Sequence, residues 1–60
     1  MTKINIEQPH GYLLDSNDIV VKRFGNWETG THMVPEKVDS VAYVSGPAAH
    51  TTQTGDEYAP

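Results

Sequence analysis

Three histidines, His10, His32 and His50, are the side chains of this sequence best suited to hold a metal ion or move a proton. A helical zinc motif places two histidines four positions apart so that both reach one ion. Here the intervals are 22 and 18 residues, across three different segments. Nothing in that spacing asks for a shared site, and the three read as surface or interface histidines. Asp15-Ser16-Asn17-Asp18 starts like a calcium loop, which needs glycine at its sixth position and glutamate at its twelfth. Those positions hold Val20 and Asn26. The four residues instead have turn chemistry, because short polar side chains bond the backbone just beyond them.

Nucleophilic chemistry has no better foothold. Cysteine is absent, and no serine sits in a Gly-x-Ser-x-Gly elbow. Gly25 and Gly30 are five residues apart and lack the Lys-Ser/Thr of a phosphate loop. Asp56-Glu57 pairs two carboxylates, but in a segment with no apolar surroundings to raise a pKa. The chain is therefore expected not to be an enzyme, and no catalytic residue, cofactor or metal is assigned. The aromatics are the stronger lead. Tyr12, Phe24, Trp27, Tyr43 and Tyr58 are spread over every segment, and aromatic residues are enriched where proteins bind each other. Phe24 and Met33 are assigned to the core. Trp27 stands at a turn tip between Asn26 and Glu28, either folded back or offered to a partner. Tyr58, in a polar tail, reads as an anchor for a neighbour's pocket. The candidate partner-binding residues are Ile4, Ile6, Tyr12, Trp27 and Tyr58.

The elements that must position these residues are short and β-like. Ile4 and Ile6 alternate with Lys3, Asn5 and Glu7, as in a strand, before Pro9 and Gly11 interrupt the chain. Residues 1–11 are expected to form an extended N-terminal arm that adds to a neighbouring sheet. Tyr12-Leu13-Leu14 and the β-branched run Ile19-Val20-Val21 flank the polar turn and predict a hairpin. Thr31–Val34 predicts a return strand, so that Ile19–Val34 would form a second hairpin. Residues 35–46 admit two readings. Proline followed by an acid resembles a helix start, but the valines and Tyr43 of 38–44 favour a strand. The preferred reading is a turn at Pro35–Lys37 and a strand at Ser40–Val44. The fold class is thus mainly β: a small antiparallel meander of three to four short strands over residues 12–44. From Ser45 on, only Tyr58 is large and apolar. Residues 45–60 are expected to form an irregular, extended tail that cannot offset its own ordering entropy.

Composition narrows the function classes. The chain has 60 residues and a net charge of −4, with eight acids against Lys3, Lys22, Arg23 and Lys37. Only Lys22 and Arg23 are adjacent, which is too little clustered charge for nucleic acid. No apolar run approaches the ~20 residues of a membrane-spanning helix, and no apolar stretch of a secretory signal follows Met1. At this size apolar burial and chain entropy nearly cancel, and there are no disulfides to add stability. Partner proteins or self-association are the expected supplement. These features predict a structural accessory subunit of a large protein assembly, with a virion as the expected setting. There it would act as a minor capsid, cement or decoration protein, as in a tailed phage, holding neighbours through extended termini. The expected location is the virion or the host cytoplasm, with protein partners, a shell protein foremost, or copies of the chain itself, and neither nucleic acid nor membrane. The alternative is a small acidic inhibitory or regulatory module that binds a host protein.

Overall fold

The computed structural model describes residues 1–59; Pro60, the end of the expected tail, lies outside them. The chain is mainly β, as the sequence indicates, with five strands rather than three or four. They are β1 (Thr2–Ile6), β2 (Gly11–Leu14), β3 (Val20–Phe24), β4 (Gly30–Val34) and β5 (Ser40–Tyr43), followed by a single 3₁₀ turn at Pro47–Ala49. They form two antiparallel sheets, β1-β4 and β3-β2-β5.

β2 is the central strand, and all four of its residues are buried. Its run of apolar residues suits a strand covered on both faces. Leu13 points into one cluster, with Ile4, Ile6, Phe24 and Val34. Tyr12 and Leu14 point into the other, with Val20. Gly11 lies on the Leu13 side, where a Cβ would overlap the Ala42 carbonyl oxygen and reach 2.8 Å from Phe24 Cζ. The expected β2–β3 hairpin is present. The Asp15 carboxylate accepts from the N–H groups of Asn17 (2.8 Å) and Ile19 (3.1 Å), so the local side chain closes the turn. A register shift at Leu13/Leu14 inserts one residue into β3. That extra residue rotates Val20 onto the Tyr12–Leu14 face while Phe24 stays on the other.

Three expectations are corrected. The second hairpin does not form, because β4 pairs with β1, from Thr2↔Val34 to Ile6↔Gly30. Added beside β3, β4 would extend one flat sheet and leave Leu13 and Phe24 uncovered. Paired with β1, it brings Ile4, Ile6 and Val34 down over them as a second layer. The N-terminal stretch is extended and adds to a sheet, but to one of its own chain: Thr2–Ile6 pairs with β4, and its isoleucines are core residues. Tyr43 ties this strand to the other sheet. Its hydroxyl donates to the Asn5 carbonyl (3.2 Å) and accepts from the Glu7 N–H (3.0 Å). Between residues 35 and 46 the strand reading holds, with β5 at Ser40–Tyr43.

The third correction concerns the tail. Residues 45–59 are irregular apart from the 3₁₀ turn, but their bonds are to their own chain. The Val20 N–H donates to the Asp56 carbonyl (2.9 Å), Gly55 N–H to Val20 (2.8 Å) and Tyr58 N–H to Asp18 (2.9 Å). The outer edge of β3 thus receives the returning backbone, with a bridge between Ile19 and Glu57. Gly55, at φ 95°, permits the reversal that aims it there. Main-chain bonds and one aromatic ring accomplish what the tail's apolar content could not.

Candidate functional site

Two clefts and one exposed face could engage a ligand or partner. The first cleft lies where β3 ends and the 3₁₀ turn approaches it. His10, Arg23, Gly25, Asn26, Pro47 and His50 line about 420 Å³. His10 is held at the entry to β2, where its carbonyl accepts from the Val44 N–H at 3.0 Å. His50 packs edge-on against Tyr12, with ring centroids 5.1 Å apart, and stands 6.0 Å from the His10 ring. The Tyr12 hydroxyl accepts from the Thr52 N–H at 3.2 Å, which fixes the segment carrying His50.

The Nδ1 atoms of His10 and His50 are both buried without a hydrogen-bond partner. A neutral imidazole carries its proton on one of its two ring nitrogens and leaves the other as an acceptor. Each ring then offers one N–H donor. Burial lowers the pKa of His50 from its ordinary 6.5, and the charges of Arg23 and then His10 lower it further. The lining contains no carboxylate.

The second cleft, about 590 Å³, runs between the β2–β3 turn and residues 36–39. Val21 and Val38 are its apolar part; Asp15, Glu36, Lys37 and Asp39 surround them. Asp15 is committed to its turn, while Glu36 Oε1 is buried and unpartnered. Among the described residues no group of three or more His, Cys, Asp or Glu is placed to hold a metal ion.

The five aromatic and aliphatic candidates are placed mostly inward. Ile4 and Ile6 belong to the cluster beneath β1–β4, and Tyr12 is fully buried in the opposite one. Trp27 is folded back between Phe24 and His32, with centroids 5.1 Å from each. The His32 Nε2–H donates to the Glu28 carbonyl at 2.6 Å, holding the edge of that stack. Tyr58 lies 5.2 Å from Tyr12 and covers its own chain's core. The structure thus gathers Tyr12 and Tyr58 in one cluster and sets Ile4, Ile6 and Trp27 in the other.

The exposed large hydrophobics are residues the sequence reading did not select: Met1, 86% exposed, and Met33, 56% exposed. Met33 had been assigned to the core. The period of two in β4 was the available signal, since a buried Val34 turns Met33 to solvent. Met33 pairs with Lys3, so Lys3, Asn5, Thr31 and Met33 share the outer face of the β1–β4 sheet. That face carries no acid in a chain that is strongly acidic overall. The meeting of His10 and His50 had no sequence signal, because 40 positions separate them.

No protein-family model matches the chain, and neither does any curated protein sequence or solved structure.

Proposed function

We propose that this chain is a small structural accessory subunit of a large protein assembly, docking through the outer face and open edge of its β1–β4 sheet. The observation that carries the reading is the exposed Met33 on that acid-free face, with Met1, also exposed, preceding β1. Methionine is favoured in binding surfaces because its flexible, polarisable side chain adapts to a partner. β4 pairs only with β1 among the described residues, so its other edge is open to strand addition. The occupant is an extended segment of a neighbouring assembly protein, a shell protein in the virion setting. Main-chain bonds along β4 would supply affinity, and an apolar contact at Met33 would supply register. Thr2–Ile6 and the Gly55–Tyr58 stretch lie on the body of the subunit, so the sheet is the docking element.

The test is particle purification from the native source, with wild-type chain and Met33→Glu. The expected result is a fixed ratio of chain to a repeated subunit in sedimenting particles, with incorporation of the variant reduced at least about tenfold. Circular dichroism would verify the variant's fold. A soluble one-to-one complex with a single target would contradict this reading and favour the inhibitory module. Undiminished incorporation of Met33→Glu would also contradict it.

A further inference from the structure

We propose that the cleft between the end of β3 and the 3₁₀ turn binds a small tetrahedral oxyanion of the phosphate type. Four observations converge there. Arg23 contributes a permanent positive charge to the lining from an exposed position. Asn26 adds a side-chain amide to the lining. His10 and His50 add two imidazole rings whose Nδ1 atoms have no partner within the chain, and each neutral ring carries one N–H donor. Finally, no carboxylate lines the cleft, although the chain has eight acids and four Lys and Arg residues. A donor set without competing acceptors suits an anion.

The packing preorganises these donors. His50 is wedged edge-on between Tyr12 and His10, and Tyr12 is fully buried. Gly25 lies so close to His10 that a Cβ there would reach 3.0 Å from Nδ1. His10 is thereby held against the loop that carries Asn26. A cation is disfavoured because the cleft supplies two imidazole ligands beside a guanidinium. Phosphate is favoured because arginine's planar fork matches two of its oxygens, leaving others for the imidazole N–H groups. The phosphate is either a free ion or the phosphoryl group of a larger small molecule; both present the same oxygens to the cleft.

The experiment is an NMR titration of the full chain with inorganic phosphate and, separately, with glycerol phosphate, at constant ionic strength against chloride. Saturable shifts are expected at the Arg23 side chain, the Asn26 amide and the His10 and His50 rings. His32, which stacks on Trp27 and is not part of the lining, serves as the internal control and should move less than these groups. Arg23→Gln, an exposed substitution that should leave the fold intact, is expected to weaken binding at least tenfold. Saturation by both probes identifies the free ion as sufficient; saturation by glycerol phosphate alone identifies a phosphomonoester. Shifts that do not saturate with either probe, that move His32 equally, or that persist unweakened in Arg23→Gln would overturn the proposal.

Discussion

The two faces of β2 are covered by different means. On one, Leu13 lies beneath a paired sheet, with Ile4, Ile6, Phe24 and Val34 closing around it. On the other, Tyr12, Leu14 and Val20 lie beneath an irregular tail whose large apolar contact is Tyr58. The first cover is held by a five-residue strand register. The second is held by a few backbone bonds to Asp18 and Val20 and by the Tyr12 hydroxyl. Local stability follows the number of buried apolar contacts and cooperative backbone bonds. The sheet-covered face should therefore open only with global unfolding, and the tail-covered face at lower cost.

Leu13→Ala strikes the better-covered face and should have the largest effect. It leaves a cavity in a fully buried site and should cost about 2–5 kcal/mol, enough to unfold much of a marginal 60-residue chain. Chemical denaturation would measure this. Tyr58→Ala should cost less, about 1–2 kcal/mol, from the lost ring pair and partial burial. The amides of Val20, Gly55 and Tyr58 should exchange faster while those of β1 and β4 keep their protection. A Tyr58→Ala effect as large as that of Leu13→Ala would erase the distinction between the faces.

The smallest effect is that of pH, through His50. Its folded pKa lies below the ordinary 6.5 because of burial, Arg23 and His10, in that order. The unfolded chain therefore takes up this proton first as the solution is acidified. The His50 contribution is fully present above about pH 6.5 and is lost as pH falls through that value toward the lower folded pKa. Tail exchange followed between pH 7.5 and 5.5, corrected for intrinsic rates, should show loosening at the acidic end. In His50→Gln this dependence should shrink.

The local features of this fold were legible in the sequence. The Asp15–Asp18 turn, the β-branched strand after it and the strand at Ser40–Val44 rest on nearest-neighbour chemistry, and each occurs where that chemistry puts it. What sequence reading missed is nonlocal. Thr31–Val34 had the pattern of a strand but no mark of its partner; β1 became that partner because pairing there buries Leu13 and Phe24. The tail looked unable to order because its side chains are polar, yet its ordering depends on main-chain bonds to β3. The His10–His50 cleft needed both results at once, since the returning tail is what carries His50 to His10.

Native-state hydrogen exchange on the isolated chain tests the contrast between the two faces most directly. Protection of the β1–β4 ladder should equal that of β2 and β3, near the global unfolding free energy, with the Val20, Gly55 and Tyr58 amides exchanging through a separate, lower-energy opening. Rapid exchange throughout residues 2–6, as in a free arm, would contradict the account. So would a tail protected to the same level as β2.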